Sequence, residues 1–197
     1  MRVNTVFCPK GVDLPYRITV DNPLGSIGVF GDSFAQLAEF RQIHNYFDHE
    51  SSWIYFLANI LNMEAHTYGV SKASVGDIFY TLQNCRIDYD VYILFLTHPQ
   101  RENTFSKLKF NTKNSIKIKN FLKNKKSLVI YWDKKHRIFD FNTLEYISKF
   151  HLTNKNIPDE KIFKGKINCH DMVGSHHHMS ARGNLLLALE LSKLLIA

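Results

Sequence analysis

Apolar positions along this chain follow two rhythms in turn. Short unbroken runs, Ile27 to Phe30, Val91 to Leu96 and Leu128 to Trp132, have the length and continuity of strands covered on both faces. Between them, apolar residues recur at helical spacing. Trp53, Phe56, Leu57, Ile60 and Leu61 form one such stripe, predicting a helix that starts at Ser51 or Ser52. Val75, Ile78, Phe79 and Leu82 form another, behind Ser74 as N-cap and Asp77 as its capping-box partner. A helix is expected after Ser33, with Phe34, Leu37 and Ala38 inward. A short strand is expected over Glu64 to Tyr68, and a closing helix capped by Ser180 carries leucines from Leu185 to Leu195. Arg137 to Phe163 shows the weakest pattern; it reads as a strand around Ile138 to Phe141 and a helix around Thr143 to Phe150.

Alternating strands and helices indicate an α/β fold with a mainly parallel sheet of roughly five strands, arranged as a three-layer α/β/α sandwich. With 197 residues, no internal repeat and no linker-like segment, a single domain over 1–197 is expected.

Lys+Arg 25 against Asp+Glu 18 leaves a formal charge of +7. Much of the excess lies in Lys107, Lys109, Lys113, Lys117, Lys119, Lys123, Lys125 and Lys126, a stretch without one acidic residue. Such a run is ordinarily a solvated face. Its alternative is a contact surface for an anionic partner, such as an acidic glycan, a membrane surface or nucleic acid. Nucleic acid is the weakest of these, because aromatic residues do not alternate with the lysines as a single-strand platform requires. Cys8, Cys85 and Cys169 are odd in number and lack CxxC spacing, which argues against a disulfide framework or zinc knuckle and for small buried residues in a reducing compartment. No apolar run approaches a membrane span, and Met1 to Thr5 opens no signal peptide. The expected location is cytoplasmic; a phage-borne or non-classically released protein would carry the same features.

Two segments concentrate the candidate chemistry. Gly31-Asp32-Ser33 ends the first apolar run and opens a helix. That corner sets a serine hydroxyl at the carboxyl edge of a sheet, with its own N–H at a helix N-terminus. Gly31 permits the sharp turn and Asp32 can satisfy local backbone donors. Alone, the tripeptide is equally an ordinary turn with a serine N-cap. At the other end, His176, His177 and His178 precede the last helix. A serine nucleophile needs a neutral imidazole in reach, and His178 stands nearest the cap. Three adjacent histidines diverge and make a poor metal site, so no metal is assigned.

In this order, the two segments resemble the first and last blocks of the SGNH/GDSL hydrolase family: Gly31-Asp32-Ser33, and His178-Met179-Ser180-Ala181-Arg182-Gly183-Asn184. Tyr68 to Ser74 is similar to the second block, and Tyr92 to Leu96 with Thr97-His98-Pro99-Gln100 takes the place of the third. The resemblance implies a flavodoxin-like α/β/α fold and a serine esterase or acylhydrolase with no cofactor. Ser33 would be nucleophile and His178 base, with oxyanion donors from Ser33, Lys72, Thr97 or His98. An O-acetyl group on a carbohydrate is the preferred ester, with an acidic glycan as the candidate partner of the basic surface.

Three positions depart from the pattern. Ser175 stands where the family has an aspartate, and the nearest acid, Asp171, is four residues further upstream. Lys72 stands where a glycine donates its N–H, with Gly69 or Gly76 as substitutes in a shifted register. The family's asparagine is missing from the third block, leaving Thr97, His98, Gln100 or Asn103 as donors. These departures favour a competing reading, a non-catalytic binding or structural module on the same fold. An O-acyltransferase using the same serine and histidine is a further alternative.

Overall fold

A computed structural model describes residues 2–5, 16–32, 35, 52–70, 72–97, 112–131, 143–144 and 181–196. Among them, seven strands run β1 (Arg2–Thr5), β2 (Tyr16–Thr19), β3 (Ser26–Gly31), β4 (Glu64–Gly69), β5 (Val91–Leu96), β6 (Lys126–Tyr131) and β7 (Thr143–Leu144). The described helices are α1 (Trp53–Leu61), α2 (Val75–Asn84), α3 (Thr112–Leu122) and α4 (Ala181–Ile196). The strands form one sheet in the order β1-β2-β4-β3-β5-β6-β7. β4, β3, β5, β6 and β7 are mutually parallel, matching the expected number of about five, the first four of them at expected positions. β1 and β2 extend the sheet with antiparallel pairing and have no counterpart in the sequence reading.

Strand alternation divides the core in two. Ile27, Val29, Ala65, Val91, Ile93, Phe95, Leu128 and Ile130 share one buried cluster with α1 and α4. Phe30, Tyr68, Tyr92, Leu94, Leu96 and Val129 share the other with α2 and α3 residues. Successive side chains point to opposite faces, so a central strand must be apolar throughout, and all six residues of β5 are buried.

Two of the expected caps are present, and Ser180, expected to cap the closing helix, lies outside the described residues. Ser52 accepts from the Tyr55 N–H to start α1. At α2, the Asp77 N–H donates to Ser74 Oγ at 3.0 Å and the Ser74 N–H donates to Asp77 Oδ2 at 2.9 Å. The α1 stripe needs correction. Its buried residues are Trp53, Ile54, Leu57 and Ala58, while Ile60 is 39% exposed. Ala58 and Ala188 belong to the same buried cluster, and small residues let two helices lie close, which turns Ile54 inward in place of Ile60. Thr143 and Leu144 also differ from expectation: they pair with Val129 and Ile130 as a strand, so the helix expected from Thr143 does not begin there. Their β-branched threonine and the open edge of β6 favour pairing. The strand expected at Ile138 to Phe141 and the helix expected after Ser33 lie outside the described residues, as do Cys8 and Cys169. Cys85 is only partly buried and is a free thiol.

A polar chain ties β2 to the amino end of the parallel sheet. Gly28 leaves room for the Tyr89 ring, since a Cβ there would sit 2.3 Å from Tyr89 Cδ2. The Arg17 guanidinium donates to Glu64 at 2.6 Å, and His66 Nε2 meets the same carboxylate at 2.6 Å. Burial pushes the Glu64 carboxyl up, but the hydrogen bonds and charges of Arg17 and His66 outweigh it and hold it below its ordinary value. Burial lowers His66 despite the opposing pull of Glu64. A neutral imidazole facing a carboxylate carries its proton on Nε2, so Nδ1 accepts from the Tyr89 hydroxyl at 2.9 Å. Tyr89 in turn accepts from Tyr68 at 2.6 Å, and Tyr68 accepts from the Cys85 thiol.

This chain makes stability acid-sensitive. His66 titrates lower in the folded state than its ordinary 6.5, so the unfolded chain gains a proton first and stability falls as pH drops below that value. Glu64 adds a second loss once pH falls below its ordinary 4.5. Thermal unfolding from pH 7 to pH 4 should show both losses. In His66→Gln the first should shrink while the second persists.

Candidate active site at the carboxyl edge of the sheet

In chain order the five parallel strands are arranged 2-1-3-4-5, with β3 as the first, so the chain leaves β3 to one side for β4 and later returns to its other side for β5. Open α/β sheets bind ligands outside the carboxyl ends of the strands at such a reversal. Gly31, the last residue of β3, sits there, paired with Gly69 of β4 and Phe95 of β5.

Gly31 is glycine for want of space. Its backbone is ordinary strand, and the reason assigned from sequence, freedom for a sharp turn, is replaced by a steric one. A Cβ would lie 2.7 Å from Ala35 Cβ, 2.9 Å from Phe95 Cβ and 3.0 Å from the Phe95 carbonyl oxygen. Asp32 follows and is buried. The Ala35 N–H donates to the Asp32 carbonyl at 3.0 Å, and the Thr67 hydroxyl of β4 donates to the Ala35 carbonyl. Asp32 and Ala35 are thus each held by a hydrogen bond.

The loop after β4 is bonded to the same corner. The Val70 N–H donates to the Gly31 carbonyl at 3.2 Å, and the Ala73 N–H donates to the Val70 carbonyl at 3.0 Å, closing a turn. Within that turn Lys72 is exposed and holds φ at +62°, the left-handed region. A residue with a Cβ is strained there by about 1–2 kcal/mol, and glycine is not. The shifted-register alternatives sit differently: Gly69 is a strand residue, and Gly76 is buried in the first turn of α2. Thr97, directly after β5, is buried beside the reversal.

The structure therefore sets Asp32, Lys72 and Thr97 at one edge. Ser33, His98, Ser175, His176, His177 and His178 lie outside the described residues, as do Asp171, Gln100 and Asn103. Sequence reasoning missed Thr67, the hydroxyl that fastens the corner. Its signal was a polar β-branched residue within a buried strand, where such a group needs a partner. Asn184, buried on α4 six residues after His178, was quoted only as part of a motif.

No family model matches the chain, and no curated protein matches it in sequence. Solved structures do. One is a carbohydrate esterase whose active site displays divergent catalytic and non-catalytic binding functions: 12% identity, TM-score 0.51, covering 91% of this chain and 67% of that one. Another is an alpha/beta hydrolase enzyme from the metagenome of Lake Arreo, Spain: 10% identity, TM-score 0.51, covering 89% and 97%. A third, from Desulfitobacterium hafniense DCB-2 and assigned to the G-D-S-L family of lipolytic proteins, has 14% identity and TM-score 0.49, covering 86% and 98%. At these identities the likeness shows the fold alone, an α/β fold shared with the carbohydrate esterase and the alpha/beta hydrolase. No helix among the described residues is long and apolar enough to cross a membrane.

The corner's packing can be tested directly. Gly31→Ala should destabilise by about 1–3 kcal/mol, because the added methyl meets backbone and Cβ atoms that cannot swing aside. Thr67→Val should cost about 1–2 kcal/mol by leaving the Ala35 carbonyl without its donor. Urea unfolding at neutral pH reads both.

Proposed function

We propose that the protein is a serine esterase or acylhydrolase that removes an O-acetyl or other short acyl group from a carbohydrate. One observation carries the proposal: β3 ends at Gly31 where the strand order reverses, the edge at which this class of sheet binds ligands, and Ser33 follows two residues later in the sequence. In this reading the Ser33 hydroxyl attacks the ester carbonyl while His178 takes its proton. The tetrahedral intermediate collapses to an acyl-enzyme, and His178 returns the proton to the departing alcohol. Water, activated by the same imidazole, then releases the acid and restores Ser33. The N–H groups of Ser33 and Lys72 receive the oxyanion, with Thr97 or His98 as a further donor. The left-handed backbone at Lys72 supports its place in the second block, since that conformation is the one glycine takes without strain. The carbohydrate ester is supported by the structural likeness to a carbohydrate esterase.

A second reading, a carbohydrate-binding module without turnover, is favoured by Ser175 at the position where the resemblance calls for an acid. The carbohydrate esterase of similar fold displays non-catalytic binding as well as catalysis, so one edge can serve either use.

A fluorophosphonate probe separates the readings, because it bonds only to an activated serine. Labelling should occur in the natural chain and vanish in Ser33→Ala, together with hydrolysis of 4-nitrophenyl acetate. His178→Ala should lower hydrolysis by about a thousandfold or more, with His176→Ala and His177→Ala milder. An unlabelled natural chain would reject the esterase reading. A larger loss in His177→Ala would move the base by one residue.

A further inference from the structure

We propose that the outer face of α3, with the adjoining turn after α2, is a docking surface for an anionic lipid bilayer. α3 buries Ile118 and Leu122, one turn apart, in the core beneath it. Its other side faces outward, where a surface helix is expected to be polar. Instead Ile116 is 52% exposed and Phe121 41%. Lys117, Lys119, Asn120 and Lys123 are exposed around them. From Thr112 to Ser127 the chain has no acidic residue.

The turn after α2 extends this face. The Lys125 ammonium pairs with Asp88, the Tyr92 hydroxyl donates to the same carboxylate at 2.6 Å, and the Phe121 ring meets the Tyr92 ring edge-on with centroids 5.3 Å apart. These contacts bring Arg86 and Ile87 close to the end of α3, and both side chains are exposed. Lys125 neutralises Asp88, and Asp90 is held by the Ser26 N–H and hydroxyl. Arg86, Lys117 and Lys123 have no ion-pair partner among the described residues. Lys119 and Lys125 are engaged within the protein. Lys126, two residues before Leu128 on β6, points to the other face of the sheet, toward α1 and α4. Lys107, Lys109 and Lys113 lie outside the described side chains.

Three unpaired cations thus stand beside three exposed apolar side chains, Ile87, Ile116 and Phe121. An anionic bilayer supplies headgroup phosphates for the cations and an acyl boundary for the apolar groups. An acidic glycan or a nucleic acid would satisfy the charges and leave the isoleucines in water. Docking of this kind is independent of any reaction at the carboxyl edge of the sheet.

The test is co-sedimentation of the full chain with vesicles of phosphatidylcholine alone, or of phosphatidylcholine with about one-third phosphatidylglycerol. The chain should pellet with the anionic vesicles and stay in solution with the neutral ones, and added salt should release it. Arg86→Gln, Lys117→Gln and Lys123→Gln combined should lower the partition coefficient about a hundredfold, about fivefold for each cation. Ile116→Gln should lower it about fivefold at every salt concentration, because the apolar contribution is not screened. Both variants should keep a thermal midpoint close to the natural one, since the altered side chains are exposed. Should the combined variant unfold, Lys117→Gln and Lys123→Gln taken singly carry the same test. Equal pelleting with both vesicle types, pelleting with neither, or a charge variant that pellets like the natural chain would overturn the inference. So would a loss in the charge variant with no effect of Ile116→Gln, or tighter binding to heparin or RNA than to the anionic vesicles, because the surface would then read charge alone and serve a soluble polyanion.

Discussion

The site depends on the absence of one carbon atom. At Gly31 three pieces of backbone converge: the end of β3, the neighbouring strand β5 at Phe95, and the returning chain at Ala35. No side chain fits among them. Because the contacts are with backbone and Cβ atoms, the gap cannot be opened by a rotamer change; it closes only when the corner adopts its native path. The Gly31 carbonyl then becomes the anchor for the loop after β4. Two loops from separate strands are placed relative to one another by one residue, and any ligand spanning them reads that spacing.

β4 links this edge to the other end of the molecule. Its odd-numbered residues face α1 and α4, and there Thr67 holds the Ala35 carbonyl. Its even-numbered residues face α2 and α3, and there Glu64, His66 and Tyr68 build the polar chain that reaches β2 through Arg17. A strand buried on both faces has few places for polar groups, and each here is matched to a partner. The ionised Glu64 also sets the direction of every donor in the chain, from the Cys85 thiol through Tyr68 and Tyr89 to His66. The order is uniform because reversing any one bond alone would set two lone pairs or two protons face to face.

Much of the fold was legible because its signals were local. Continuous apolar runs identified β3, β5 and β6, and Ser74 with Asp77 identified the start of α2 within a single turn of chain. β1 and β2 were not legible. Their pairing, Arg2 with Thr19 and Tyr16 with Thr67, is non-local, and a four-residue strand leaves little periodicity to read. The α1 face was misjudged for a related reason: Phe56 and Ile60 fit the helical period as well as Ile54 and Ala58, and tertiary packing decided between them. At the site, Gly31 and Asp32 were recognisable as a corner, but the reason for the glycine lay in Phe95 and Ala35, distant or unremarkable in sequence. Lys72 could be noted only as a mismatch, because backbone strain is invisible until φ is known.

Ser175, at the position where the resemblance calls for an acid, bears on the choice between turnover and binding. An orienting carboxylate behind an imidazole acts mainly on rate: it fixes the tautomer and stabilises the imidazolium that forms during transfer. Ligand affinity has other sources, such as backbone donors on the loops around a site. A chain with Ser175 in place of the acid can therefore lose turnover while keeping its ligand, because the two properties reside in different groups. The packing at Gly31 gives no preference between the two readings. In the esterase reading the distinction falls on the group behind His178: a carboxylate, such as Asp171 brought back by its loop, would complete a triad, whereas a hydroxyl or a carbonyl would leave a slower dyad.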